Sequence, residues 1–410
     1  MPQSPQSPIL IIGAGISGLT LAQGLRQHSI PFRVFERHPV SHTSQGHRFR
    51  ISHAFPALTS ILPPASQDLL TPTAVQRNRF QPRYIDARIG NFPAPVLSDE
   101  TQTSIAMDRT WLRQLLMLGI EDSVFYSKDF VSYSSSPDNH EMEITFADGS
   151  SAQGCLLVGA DGVKSRVRSY LQPSRRLLDL ERWIMWGRTI LTASLREKLK
   201  ANDDYMTWFM ATDSEANVQA IVDPMVWDRD VGEESLGKLS SYQDYLYWVV
   251  CTPSHEEKAL PLPKSTREKK IFLEHVTREW DPMLRMIFEE ANHELSACVP
   301  VLSSKPDIEI IARSSSSSPR VVLVGDAAHP MSPMGGSGAD TAVTSAVDLT
   351  NAIRETGSDL LKDSGFGEDS IGSFERRMAE RAEEKIKHSF EGGQKFWKGK
   401  EWKYYKETPV

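Results

Sequence analysis

Gly13, Gly15 and Gly18 form a Gly-x-Gly-x-x-Gly array between the apolar run Ile9–Ile12 and a stretch in which Ile16, Leu19, Leu21 and Leu25 recur near helical spacing. That order suits a pyrophosphate. The first glycine permits a tight turn, the second lets backbone approach the phosphates, and the third lets helix and strand pack closely, while unpaired amides of the first helical turn attract negative charge. Glu36 closes the next apolar run, Phe32–Phe35, where a carboxylate can accept hydrogen bonds from a ribose hydroxyl. These residues predict a dinucleotide-binding strand–helix–strand unit.

Two later segments repeat the theme of a buried strand ending in glycine and aspartate. Leu156-Leu-Val-Gly-Ala-Asp161-Gly162, followed by Ser165, Arg166 and Arg168, would deliver a carboxylate to the sheet edge where ligands of open α/β sheets collect, although an ordinary strand turn would look much the same. Val321-Val-Leu-Val-Gly325-Asp326-Ala-Ala-His329-Pro330 does so again. Its continuation through Pro333, Gly335, Gly336, Gly338 and Ala339 exposes backbone amides ahead of a helical stretch to about Ile353, an arrangement suited to a polarised ring carbonyl. His329 invites a metal or base reading, but no second ligand lies at metal spacing. A packing or loop-positioning role is therefore favoured, and no metal site is expected.

Taken together, the three segments resemble the class A flavoprotein monooxygenases, the family of para-hydroxybenzoate and salicylate hydroxylases, and especially its fungal secondary-metabolism members. The resemblance covers residues 8–175 and 300–355. It implies FAD as cofactor, with Gly13, Gly15 and Gly18 at the ADP pyrophosphate and Glu36 at the adenosine ribose. Arg109 would contact FAD, Asp161 and Gly162 would serve FAD and NAD(P)H binding, and Asp326 would bind the ribityl and pyrophosphate region. Backbone amides from Gly335 to Ala339, including Gly336 and Gly338, would face the pyrimidine edge of the isoalloxazine. Arg48 and Arg50 match a Gly-x-Arg-x-Arg strand that contributes to cofactor binding, and Arg50 is the preferred residue.

The chain departs from the family pattern at Gly336-Ser-Gly-Ala-Asp340, where relatives read Gly-Gln-Gly-x-Asn, and at Ser345, where an aspartate is common. A carboxylate at Asp340 beside the pyrimidine edge would disfavour anionic reduced flavin unless it points away or is protonated. The reaction the resemblance implies uses NADPH or NADH as transient reductant, and dioxygen, to hydroxylate or epoxidise a hydrophobic aromatic, prenylated or polyketide-like small molecule. An FAD-dependent oxidase, dehydrogenase or cyclase and a catalytically impaired flavin-binding component are the alternatives.

The elements needed to position these groups predict an α/β fold. A Rossmann-like FAD-binding domain of the para-hydroxybenzoate hydroxylase type would be assembled from residues 1–75, 101–175 and 300–355. It would be interleaved with a β-sheet substrate domain, 76–100 and 176–299, and followed by a C-terminal helical segment, 356–410. Asp108 reads as the N-cap of a helix with Leu112, Leu115 and Leu116 on one face. Met142, Ile144 and Phe146 alternate as a strand before the Asp148-Gly149 turn. Ile371, Phe374, Met378, Ala382, Ile386 and Phe390 give the C-terminal helix an apolar face.

Tyr205–Met210 and Tyr245–Val250 read as strands of the substrate sheet. Trp186, Tyr205, Trp208 and Met210 are candidate substrate contacts, although alternating aromatic residues more often build a core. Arg188 could orient a phenolate or protonate an intermediate, or form a surface salt bridge.

Across 410 residues, 40% apolar and 24% charged content with a formal charge of -7 argues against nucleic-acid or polybasic membrane binding. Cys155, Cys251 and Cys298 have no Cys-x-x-Cys spacing, which predicts neither disulfide framework nor zinc and fits a reducing, cytoplasmic setting. The N-terminal apolar run, interrupted by glycines, reads as strand plus helix rather than signal peptide, and no membrane span is expected. The Ser314–Ser318 run reads as a linker, with phosphorylation as the alternative. A monomer or homodimer is expected.

Overall fold

The computed structural model describes residues 7–42, 48–75, 81–97, 104–135, 141–241, 243–255, 260–307, 320–356 and 370–409. Its first sheet has the order Val321–Leu323, Leu156–Gly159, Ile9–Ile12, Phe32–Phe35, Val124–Phe125. Every adjacent pair is parallel. The three central strands in this order, Leu156–Gly159, Ile9–Ile12 and Phe32–Phe35, end level, because Ile12 pairs with both Gly159 and Phe35 while Gly159 pairs with Leu323. The turns carrying Gly13, Asp161 and Asp326 therefore emerge along one sheet edge, as does Glu36. The strand Ile9–Ile12 is buried throughout, as its continuous apolar run demands.

Helix Ile16–Gln27 buries Leu19, Leu21, Ala22 and Leu25 in the core that also takes Val343, Ala346 and Leu349 of helix Gly338–Thr356. Helix Arg109–Met117 begins where expected: the Asp108 carboxylate accepts hydrogen bonds from the amides of Thr110 at 2.7 Å and Trp111 at 3.3 Å. Strand Met142–Phe146 pairs on either side with Phe130–Ser135 and Ser151–Gly154, and Gly149 turns at φ 80°.

The second large sheet has the order Ala297–Ser303, Leu177–Ile190, Tyr245–Pro253, Val218–Met225, Phe209–Asp213, Arg83–Asp86. One face packs Phe209, Val222 and Trp248 against Phe272, Leu284 and Phe288 of helices Thr266–Thr277 and Pro282–Glu289. The opposite face meets helix Ile371–Trp397 through Tyr245, Tyr247 and Val249 on the sheet and Ala382, Ile386, Phe390 and Trp397 on the helix.

Two boundaries differ from expectation. Residues Lys200–Met206 form a 3₁₀ helix, and the strand begins only at Phe209. Asp203 and Asp204 are poor strand formers, and Arg83 fixes the turn by donating to the Asp204 carboxylate at 2.6 Å and the Thr207 hydroxyl at 2.7 Å. The C-terminal helix runs on to Trp397, and strand Lys406–Thr408 then pairs with Leu177–Asp179 of the second sheet. The Ser314–Ser318 run lies outside the described residues. Among the described residues no helix is long and apolar enough to cross a membrane.

Candidate functional site

A cavity of about 1020 Å³ opens where the level strand ends meet the inner face of the second sheet. The glycines of the first turn divide into two kinds. A Cβ on Gly13, whose φ is 107°, would lie 2.4 Å from the Ala160 carbonyl oxygen, and one on Gly18 would lie 2.1 Å from that of Gly13. Those two serve packing. A Cβ on Gly15 would meet nothing within 4 Å, so this residue leaves its side open to the cavity it lines. Gly162 and Gly336, at φ 83° and 63°, are open in the same way and also line it. Three bare backbone surfaces around one space form the cradle an adenine dinucleotide needs, and its residues fit FAD.

The acidic residues of the three segments do different things. Glu36 accepts hydrogen bonds from the amides of Ala14 and His38, each at 3.0 Å, and lines the cavity. Asp161 also reaches the cavity wall, yet its carboxylate accepts from the Ser165 hydroxyl at 2.5 Å and the amides of Arg166 at 2.8 Å and Val167 at 3.2 Å. It therefore holds the turn in place and starts helix Arg166–Leu171. Asp326 faces the cavity but is otherwise enclosed by protein, which raises its pKa, while Arg109 and Arg168 pull it back down.

Arg168 is buried and donates to the carbonyl oxygens of Ala327 at 2.9 Å and Asp326 at 3.3 Å, so it ties the second glycine–aspartate turn to the third. Arg113 lines the cavity beside Arg109 and donates to the Ala14 carbonyl at 2.9 Å. Sequence reasoning missed Arg113. Its signal was present, because it lies four residues after Arg109 and shares that helix face.

Asp340 points away from the cavity. Its carboxylate accepts from the amides of Ser52 and Ala54 and the Ser52 hydroxyl, each at 2.9 Å, just before helix Phe55–Ile61. Its carboxylate oxygens are thus engaged by two backbone amides and a hydroxyl at the start of that helix, and Asp340 is not among the residues that line the cavity. Ser345 and His329 explain one another: both are buried, and the His329 Nε2 and Ser345 hydroxyl share a hydrogen bond of 3.1 Å. Burial pushes the His329 pKa down to about 3, so the ring is neutral and packs. Among the described residues no group of three metal-ligating side chains occurs.

Met210 of the second sheet, and Trp208 just before its strand, line the cavity together with Thr212, Ile221 and Tyr247. Tyr205 does not. It is buried on the far side, donates to Asp281 at 2.6 Å and meets Phe92 and Phe209 edge-on, a consequence of the 3₁₀ turn that precedes the strand. Trp186 packs in the core between sheet and C-terminal helix, outside the cavity lining. Arg188 is also outside the lining. Its guanidinium lies 5.5 Å from the Tyr245 ring centroid, and Tyr245 donates to the Asp108 carboxylate at 2.7 Å. Burial raises the Asp108 pKa, and the Arg188 charge opposes that shift.

Arg48 and Arg50 line the cavity and both bond Oδ2 of Asp223, Arg50 at 2.9 Å. The C-terminal helix supplies an unexpected wall of His388, Glu391, Gly392, Lys395 and Phe396. These recur at spacings of three and four, a second face beside the apolar one. The helix approaches the Pro333–Gly335 turn closely: a Cβ on Gly392 would lie 2.4 Å from the Met334 carbonyl oxygen.

Comparison with known proteins agrees with this geometry. An FAD binding domain family matches residues 123–362, and an NAD(P)-binding Rossmann-like domain matches 11–66. The dual O-methyltransferase/FAD-dependent monooxygenase elcB of Phaeosphaeria nodorum is 31% identical over 94% of this chain and 45% of its own length. The corresponding dual enzyme CTB3 of Cercospora beticola is 29% identical over 95% of this chain and 46% of its own. The chain thus spans about half the length of these relatives. A solved structure from Photorhabdus luminescens, provisionally designated an FAD-containing monooxygenase, superposes with TM-score 0.74 and 26% identity over 95% of this chain and 98% of its own. A salicylate hydroxylase substrate complex shares the fold at TM-score 0.68 and 16% identity, over 96% of this chain and 89% of its own. With the FAD binding domain model covering more than half of its residues and the fold shared from end to end, the chain belongs to the class A flavoprotein monooxygenases.

Proposed function

We propose that the protein, loaded with FAD, uses NADPH or NADH and dioxygen to insert oxygen into a hydrophobic aromatic or polyketide-like small molecule. The observation that carries this reading is the single cavity that joins the Gly15 turn to the aromatic sheet face of Trp208, Met210 and Tyr247. FAD would supply the redox and oxygen chemistry. The chain's own residues bind and orient. Amides of the Gly13–Gly18 turn and helix would hold the pyrophosphate, Glu36 would hold the ribose, and Arg109 and Arg113 would add positive charge beside them. Asp326 would accept hydrogen bonds from the cofactor's hydroxyls, and the amides of Gly336, Gly338 and Ala339, which line the same cavity, would donate to its polar ring atoms.

Trp208, Met210, Ile221 and Tyr247, which line the same cavity, would exclude water beside the bound cofactor and offer a largely apolar surface to substrate. Burial pushes the Tyr247 phenol up to about 12, so it stays protonated and acts as a hydrogen-bond donor. Arg188 acts at one remove: with Tyr245 it encloses Asp108, whose carboxylate starts the helix that carries Arg109. In elcB and CTB3 a methyltransferase shares the chain with the monooxygenase. A hydroxylated aromatic product would suit such a partner activity.

The test is substrate-dependent consumption of NADPH and dioxygen in equal amounts by yellow, FAD-loaded protein across a panel of polycyclic phenols. A protein that cannot be loaded with FAD, or that leaves dioxygen untouched with every phenol, overturns the proposal.

A further inference from the structure

A file of oxidisable aromatic rings leads away from the cavity. Tyr247 lines the cavity, and Tyr245 stands two residues before it on strand Tyr245–Pro253. Both phenols therefore leave the same face of the sheet, roughly 7 Å apart along the strand. They share one core cluster, and charge on Tyr247 bears on the Tyr245 phenol. Beyond Tyr245 comes Trp227, with ring centroids 5.8 Å apart, and Trp227 in turn meets Trp111 edge-on at 4.5 Å. Tyr245 and Trp111 are fully buried, whereas Trp227 is half-buried and gives the file an end that solvent can reach.

Edge-on packing explains the indoles. It does not explain the hydroxyl of Tyr245, because a phenylalanine would fill the same space without burying a polar group. That hydroxyl donates to Oδ2 of Asp108 at 2.7 Å, while Oδ1 of the same carboxylate accepts the amides of Thr110 and Trp111. One oxygen thus caps the helix and the other meets the phenol. Burial raises the Asp108 pKa, so this carboxylate takes up a proton more readily than an exposed one, although Arg188 opposes the shift.

A phenol becomes a far stronger acid once it has lost an electron, and it is oxidised easily only where a base can take its proton. Asp108 is such a base. The Arg188 guanidinium, 5.5 Å from the Tyr245 ring centroid, disfavours positive charge on that ring and so favours the neutral radical with its proton on Asp108.

We propose that Tyr247, Tyr245 and Trp227 form a one-electron relay that carries oxidising equivalents out of the cavity to a small soluble reductant, a thiolate, at the surface. This rests on the monooxygenase reading for the source of the oxidant, an oxygen-centred radical formed when dioxygen is reduced in the cavity without substrate. That radical takes an electron and the phenolic proton from Tyr247. An electron then passes from Tyr245 to Tyr247, the Tyr245 proton moves to Asp108, and the Tyr247 oxygen takes a proton from solvent. Trp227 next gives an electron to Tyr245, which recovers its proton from Asp108. A thiolate restores Trp227 and leaves as a thiyl radical. In sum the oxygen radical gains one electron and one proton, and the thiolate loses one electron. Asp108 is a positioning residue that also holds the proton in transit.

The relay is tested on FAD-loaded protein without NADPH or substrate, under light absorbed by the flavin, which draws an electron from the cavity wall. Radicals are trapped by freezing and read by electron paramagnetic resonance, with ring-deuterated tryptophan to tell indole from phenol. The parent should show a dominant indole radical. Trp227→Phe should abolish it, Trp227→Tyr should replace it with a phenoxyl signal, and Tyr245→Phe should abolish it by breaking the file. Thermal unfolding of each variant checks that it folds, and the half-buried Trp227 site keeps the test available if Tyr245→Phe does not.

A second readout is the site of damage. After prolonged NADPH oxidation without substrate, peptide mass spectrometry should find several-fold more oxygen added to Met210 and Trp208 in Trp227→Phe than in the parent. Trp183→Phe, on the opposite face of the sheet, should match the parent. An indole signal of parental size in both Trp227→Phe and Tyr245→Phe, or equal damage in Trp227→Phe and the parent, overturns the relay. An electron drawn from Trp227 under light in a protein that never consumes dioxygen would leave the relay standing and overturn the oxygenation proposal instead.

Discussion

At the scale of residues, the three glycines of the first turn make separable predictions. A valine at Gly13 meets both a left-handed φ and a carbonyl oxygen at 2.4 Å, so Gly13→Val should cost several kcal/mol and abolish soluble folded protein. A Cβ at Gly15 meets no protein atom within 4 Å beyond its neighbours in the chain, which leaves room for a valine side chain toward the cavity. Gly15→Val should unfold within about 1 kcal/mol of the parent yet bind FAD at least about tenfold more weakly. Chemical denaturation of the flavin-free proteins and a flavin fluorescence titration separate the two. Equal destabilisation by both variants would contradict the division between packing and cradle.

His329 makes a pH prediction of definite sign. Its native pKa of about 3 lies below the ordinary value of 6.5, so as pH falls the unfolded chain takes up a proton that the native ring refuses. Stability associated with His329 is complete above about pH 6.5 and is lost as pH falls toward 3. Between pH 7 and pH 5 the parent should lose about 2 kcal/mol more than His329→Gln, measured by urea unfolding. Identical losses would show that His329 is protonated in the native state.

Much of this scale was legible in the sequence because it is local. Glycine spacing, the Asp108 cap and the two glycine–aspartate turns depend on residues a few positions apart. The aromatic residues were harder. Trp208 and Met210 reach the cavity while Tyr205, three residues before Trp208, faces the opposite core, because the direction of a side chain depends on where the strand begins. Asp340 looked hazardous in sequence since its partners, Ser52 and Ala54, lie nearly 290 residues away.

At the scale of elements, the C-terminal helix is the main addition to the expected site. Its apolar stripe gave its packing, but its length and its second, cavity-lining face emerged only from its position against the Pro333–Gly335 turn. That approach depends on Gly392. Gly392→Val would push a methyl-bearing carbon against the Met334 carbonyl and lift helix from loop. The expected outcome is a loss of about 1–3 kcal/mol and weaker FAD retention, read by thermal unfolding and by flavin release on gel filtration. A variant with unchanged flavin retention would mean that the helix closes the cavity without bearing on the cofactor loop.

At the scale of the molecule, the chain crosses between its two halves several times. Strand Arg83–Asp86 leaves the cofactor half to form an edge of the second sheet, and Lys406–Thr408 returns from the C-terminal helix to the same sheet. Composition and periodicity announced two kinds of structure, a buried parallel sheet and an aromatic antiparallel one. They could not give the pairing between strands far apart in sequence, which sets the cavity walls. That pairing places the aromatic face opposite the glycine-rich turns, so that both line one space.

The most direct test of that union is the fate of dioxygen. FAD-loaded protein, NADPH and an accepted aromatic substrate, incubated under oxygen-18 gas, should give a product that carries one labelled oxygen atom by mass spectrometry. A product formed at the same rate without the label would contradict oxygen insertion and mark the protein as an oxidase, dehydrogenase or cyclase.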